Sequence, residues 1–113
     1  MKKELPMTPE HQALVLSGDK TSTLRSERYE PGVYPMLDRD GGCQGCCEVV
    51  RIDDKEVWWT GLRPEEQEAL ARSEGYPSAA ALERALLKLG HRRFVRGMRG
   101  LWRHHLQSDG IAG

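Results

Sequence analysis

Within eight residues, Gly18-Asp19-Lys20-Thr21-Ser22-Thr23-Leu24-Arg25 gathers a hinge glycine, an ammonium, three hydroxyls and a guanidinium. A side-chain hydroxyl is a weak nucleophile at neutral pH and attacks only when a base stands within hydrogen-bond reach, about 2.6 to 3.2 Å. An amine becomes that base when burial and a neighbouring cation disfavour its ammonium form, and Arg25 is such a neighbour for Lys20. Arg25 itself reads in two ways: its planar fork suits a phosphate, and it is also close enough in sequence to pair with Glu27 or Glu30 on the surface.

The elements around this run decide whether its side chains meet. Thr8-Pro9-Glu10 carries a hydroxyl cap, a proline at the first helical position and an acid in the first turn, which predicts a helix to about Ser17. Gly18 supplies the left-handed residue that ends it. Thr21 to Tyr29 then reads as a strand, with Thr21, Thr23 and Arg25 on one face and Ser22 and Leu24 on the other. Strict alternation would set Lys20 opposite Thr23, so the two act together only if Lys20 lies in the turn, outside the ladder.

Further along, Pro31-Gly32 predicts a turn and Val33 to Leu37 a short strand that Pro35 restricts to an edge or a bend. Asp38 to Gly42 reads as a polar loop and Cys46 to Ile52 as a strand. Lys55 to Thr60 either extends that strand or forms the next one across Asp53-Asp54. In such a strand one of Trp58 and Trp59 faces the interior and the other solvent or a ligand. The clearest helix is Arg63 to Ser73, opened by Pro64-Glu65-Glu66 and closed by Gly75, with Leu62, Ala69 and Leu70 as its buried stripe. Ser78 caps a second helix, Ala79 to Leu89, ended by Gly90, and Leu101 to Leu106 reads as a closing strand. This order of elements predicts a small α+β domain with a curved or barrel-like sheet. The core spans about 8–107 of a single domain, 1–113, with a short flexible C-terminal tail.

At 113 residues with 17 basic and 17 acidic side chains, the chain is formally neutral. That balance hides segregation: no acid occurs between Arg84 and Gln107, where Arg84, Lys88, Arg92, Arg93, Arg96, Arg99 and Arg103 are cationic. A basic surface there points to an anionic partner, with Phe94 and Trp102 either stacking on bases or packing in the core. No apolar stretch approaches a membrane span of roughly 18 to 20 residues, and no signal-peptide core follows Met1-Lys2-Lys3-Glu4, so a cytoplasmic protein without membrane association is expected. Cys43, Cys46 and Cys47 are an odd number of thiols, expected to be reduced. A zinc site would need His91, His104 or His105 to complete it, and no second CxxC exists. No metal and no cofactor is expected.

Gly18, Lys20, Thr23 and Arg25 match the GxKxxTxR-like element of the ASCH family, small domains of the PUA-like superfold. Pro31-Gly32-Val33 resembles the turn into that family's second strand. Leu70 to Tyr76, with Glu74 ahead of a turn and a following helix, is similar to its acidic element. The likeness spans roughly Leu14 to Leu106. It implies a small β-barrel flanked by helices, with a cleft suited to RNA or a nucleoside. Some small bacterial members are amidohydrolases that remove an acyl group from N4-acylated cytidine nucleosides with a lysine, a threonine and a glutamate. By motif those roles fall on Lys20, Thr23 and Glu74. The longer basic stretch and the Cys43 to Cys47 cluster depart from that subgroup.

Together these features lead us to expect an ASCH-type domain that binds RNA or a modified nucleoside in a cleft of Lys20, Thr23, Arg25 and Glu74. Gly18 would offer backbone N–H groups to a developing oxyanion, and Arg92, Arg93, Arg96, Arg99, Arg103 and Trp102 would extend the binding surface. Hydrolysis of an N4-acylated cytidine nucleoside is the competing expectation, and a protein-interaction module using the basic surface a third. An enclosed, nucleoside-sized pocket around Lys20, Thr23 and Glu74 favours the enzyme; an open groove continuous with the arginines favours binding alone.

Overall fold

Helix α1, Pro9–Ser17, begins where Thr8 Oγ1 accepts from the His11 N–H, and ends where Gly18 adopts a left-handed φ of 86°. The computed structural model describes residues 3–108; the tail expected to be flexible lies, from 109 on, outside the described residues. After the helix, the N–H groups of Asp19 and Lys20 both bond to Leu14 O, which curls the chain back before strand β2, Ser22–Arg25, starts. Strand β2 is shorter than the predicted Thr21 to Tyr29: Tyr29 leaves the ladder, and its N–H bonds instead to His104 Nε2.

Strands β3 (Gly32–Leu37), β4 (Cys46–Ile52) and β5 (Trp102–Ser108) complete a sheet with β1 (Leu5–Pro6) in the order β1-β3-β4-β5-β2. All pairs are antiparallel except β1 with β3. A bulge between Val49 and Arg51 bends β4 against β5, and the sheet curls into a half-barrel. Strand β3, expected at an edge or a bend, lies between β1 and β4, but Pro35 itself is paired only on the β4 side. Pro35 is tolerated because the Met36 N–H points to Gly45 O on the β4 side, so the missing Pro35 donor faces the other way, where β1 pairs only with Met36 and Leu37.

Helices α2 (Pro64–Ser73), α3 (Ala79–Lys88) and a short α4 (Arg92–Val95) pack on the curled sheet. Glu66 accepts from the Arg63 N–H at the start of α2, and Ser78 Oγ from the Ala81 N–H at the start of α3. Gly75 and Gly90 follow the two helices in left-handed conformation. Ala71 replaces Ala69 in the buried stripe of α2, while Leu70 is buried as predicted. Lys55 to Thr60 forms no strand: Val57 makes one bridge to Leu101, and Trp59–Gly61 coil into a single 3-10 turn. Trp59 is nonetheless buried and Trp58 exposed.

Two apolar clusters result. One gathers Leu5, Met7, Val15, Tyr29, Met36, Cys47, Val49 and Leu106; the other holds Leu24, Trp59, Leu70, Ala71, Leu82, Leu86, Phe94 and Leu101. Phe94 is fully buried beside Trp59, ring centroids 6.0 Å apart, which settles its role as packing. Among the described residues no helix is long and apolar enough to cross a membrane. Phe94→Ala removes a ring from a close-packed interior and is expected to lower unfolding stability by about 3 to 5 kcal/mol, read from urea denaturation.

Candidate functional site

The turn that ends α1 is what places Lys20. Because it lies before β2 and outside the ladder, its side chain shares a cavity with Thr23 and Arg25, the residues on one face of that strand. Helix α2 ends at the same place: Thr21 N–H bonds to Ser73 O at 2.8 Å, and Glu74 is the next residue. Lys20, Thr23 and Glu74 are each 4% exposed, and all three line one cavity of about 500 Å³. That volume falls in the range of small-molecule sites, roughly 300 to 1,000 Å³. His11, Asp38, Tyr76 and His91 complete its polar and aromatic wall.

Glu74 is the most heavily bonded member. Its Oε2 lies 2.6 Å from Ser22 Oγ, and its Oε1 accepts from the Leu24 N–H at 3.0 Å. Lys20 Nζ donates to the Glu74 carbonyl oxygen at 2.6 Å and stands 3.9 Å from Oε1. Burial pushes the Glu74 carboxyl above the usual carboxylate range, against the pull of Lys20. Burial likewise lowers Lys20, and Arg25 adds to that lowering while Glu74 opposes it. An acid and an amine side by side, each pushed toward its neutral form, have the protonation states that general acid and general base chemistry would need.

Thr23 Oγ1 accepts from Arg25 Nε at 3.1 Å, and no hydrogen bond joins it to Lys20. Arg25 therefore turns toward the cavity rather than to Glu27, which pairs with Lys3. Gly18 does not line the cavity. The oxyanion role expected of its neighbourhood is overturned, because the Gly18, Asp19 and Lys20 N–H groups are spent on Val15 O and Leu14 O.

None of Arg92, Arg93, Arg96, Arg99, Arg103 and Trp102 lines this cavity. Arg92, Arg93 and Arg96 are exposed on or just after α4, and Arg99 Nε bonds to Gly100 O. Trp102 lies beneath the Arg28 guanidinium at 4.8 Å. Arg103 borders a separate hollow with Asp53 and Glu66, and its Nη2 reaches Ser73 Oγ at 3.1 Å. Cys47 is buried in the core and Cys43 exposed; among the described residues no three His, Cys, Asp or Glu side chains cluster to hold a metal.

No protein-family model and no curated protein matches the sequence. Solved structures do. A protein of Enterococcus faecalis V583 assigned to the family model DUF984 superposes with a TM-score of 0.66 at 13% identity, over 94% of this chain and 76% of that one. An ASCH domain from Lactobacillus crispatus JV V101 gives 0.63 at 14% identity, over 95% and 80%. The fold is ASCH-like. Identities this low carry the α+β, PUA-like architecture and nothing of the chemistry, which has to be argued from the cavity itself.

Sequence reasoning missed His11, Tyr76, Ser22 and Ser73. His11 and Tyr76 stand 65 residues apart in sequence yet have ring centroids 4.9 Å apart; the two serines had no local signal beyond lying next to the site. Burial and the nearby Lys20 push the His11 ring down from 6.5 to about 4. The unfolded chain takes up this proton near 6.5 while the folded one refuses it until about 4, so stability is full above 6.5 and is lost as pH falls through that window. Urea midpoints of His11→Gln are expected to fall less than those of the wild type over the same interval.

Proposed function

We propose that the cavity takes a single N-acylated pyrimidine nucleoside and hydrolyses its amide. The observation that carries this reading is the convergence of buried Lys20, Thr23 and Glu74 on one half-open, nucleoside-sized cavity that none of Arg92, Arg93, Arg96, Arg99 and Arg103 lines.

In this reading Thr23 Oγ forms a bond to the acyl carbon as its proton passes to Lys20 Nζ. The carbon–nitrogen bond then breaks as the leaving amine takes a proton from the Glu74 carboxyl, leaving an acyl ester on Thr23. Water attacks that ester and returns a proton to Glu74, while Lys20 gives its proton back to Thr23 and the carboxylic acid departs. The arrangement is a threonine version of the hydroxyl-plus-lysine pattern. The absence of a resting Thr23–Lys20 hydrogen bond is compatible with this, since such contacts tighten when substrate binds. Arg25, already bonded to Thr23, would orient the hydroxyl.

A second reading, contact with RNA, is favoured only by the exposure of Arg92, Arg93 and Arg96 away from the cavity. Lys20→Ala is expected to lower kcat/KM toward N4-acetylcytidine by about 10² to 10⁴-fold. Replacing Arg92, Arg93 and Arg96 together by Gln should leave that rate unchanged and largely insensitive to salt. Absence of turnover across a panel of acylated pyrimidine nucleosides would refute the hydrolase.

A further inference from the structure

Behind Glu74, on the side away from the cavity, three oxygen–oxygen contacts run in series. Glu74 Oε2 lies 2.6 Å from Ser22 Oγ, Ser22 Oγ 2.7 Å from Ser73 Oγ, and Ser73 Oγ 2.7 Å from Leu70 O. Each separation is that of an O–H···O hydrogen bond, and each requires its own proton. Two serine hydroxyls carry two protons, and the Leu70 carbonyl carries none. If Glu74 is ionised, three contacts share two protons, so either one pair of oxygens meets lone pair to lone pair or two contacts divide a single proton.

A proton on Glu74 Oε2 fills every contact. Glu74 then donates to Ser22, Ser22 to Ser73, and Ser73 to Leu70 O. The other carboxyl oxygen, Oε1, accepts from the Leu24 N–H, as the carbonyl oxygen of a neutral acid does. Arg103 Nη2 donates to Ser73 Oγ, which occupies a second lone pair there and leaves the polarity of the chain intact.

We propose that Ser22 and Ser73 form a hydrogen-bond relay that holds Glu74 as a neutral carboxylic acid with its proton on Oε2, and that Ser22, Ser73 and Arg103 are positioning residues. The groups facing Glu74 are Lys20 from the turn after α1, Arg25 from β2, Arg103 from β5 and Tyr76 from the loop after α2. The three cations favour ionisation. Against them stand burial, which is the largest influence on this carboxyl, and its place at the C-terminal end of α2, where the helix dipole disfavours an anion. A neutral Glu74 also leaves Lys20 without a buried counter-charge, which favours the free amine that a base must be. The use of this relay in amide hydrolysis rests on the proposed function, in which the carboxyl must turn its proton from Ser22 toward the cavity to reach the leaving amine; the proton count does not.

The test is a carbon-13 NMR titration of the Glu74 side-chain carboxyl in the unliganded protein, with the signal assigned from its loss in Glu74→Gln. A protonated carboxyl is expected at neutral pH in the wild type. In Ser73→Ala the Ser22 hydroxyl is released to donate to Glu74, so the midpoint should fall by about one pH unit or more. Ser73→Thr keeps a hydroxyl and should keep the wild-type midpoint. A wild-type carboxylate at neutral pH, or a midpoint unmoved in Ser73→Ala, overturns the relay. Should Ser73→Ala fail to fold, the wild-type spectrum decides alone. Turnover with an ionised Glu74 would sink the relay and spare the hydrolase; a protonated Glu74 without turnover would do the reverse.

Discussion

A carboxyl group taken out of water must be given hydrogen bonds or a proton, and the placing of Glu74 between the end of α2 and the backbone of β2 imposes that demand on everything nearby. Leu24 N–H and Ser22 Oγ, both from one strand, bond the carboxyl itself, Ser73 at the end of the helix bonds Ser22 in turn, and Lys20 from the turn after α1 stands 3.9 Å from Oε1. Satisfying one side chain thus ties together three elements far apart in the chain. The bond from Thr21 N–H to Ser73 O adds a backbone clasp at the same junction. Strand β2 is buried on both faces: Leu24 packs into the cluster under α2 and α3 and also reaches the cavity that Thr23 and Arg25 line.

The same enclosure acts in opposite directions on the two ionisable groups. Burial lowers the lysine and raises the glutamate, so the low-dielectric setting that costs stability also draws both groups toward their neutral forms. His11, pushed down by the same burial and by Lys20, adds a neutral ring to the wall instead of a further cation beside Arg25. The polar groups of the site are therefore tuned by where the backbone puts them rather than by any unusual residue.

The basic segment shows how far charge in sequence is from charge in space. Arg92, Arg93 and Arg96 reach solvent around a four-residue helix whose Phe94 anchors it in the core. Arg103, on the closing strand, turns inward to Ser73. Seven cations that look like one surface in the sequence are distributed by helix and strand geometry among different tasks, because a strand sends neighbouring side chains to opposite faces and a short helix spreads them around its axis.

Caps, glycine turns and hydrophobic periods were legible because they act within a few residues. Thr8, Gly18, Gly75, Ser78 and Gly90 mark helix ends in the sequence and in the fold, and Cys46–Ile52 is a strand with the predicted bounds. The two-residue β1 and the four-residue α4 were not legible, since each is stabilised by pairing or burial against distant chain, and neither has a pattern long enough to announce itself. Residue types and spacing alone nominated Lys20 and Thr23 and required the lysine to sit in a turn; the likeness of the Leu70 to Tyr76 segment to a known element added Glu74. Only the tertiary structure brought Glu74 to Ser22 across 52 positions, set His11 against Tyr76 and kept Arg92, Arg93, Arg96, Arg99 and Arg103 out of the cavity. Local signals travel with the chain, whereas contacts between remote segments exist only once the curled sheet and the helix ends have packed together.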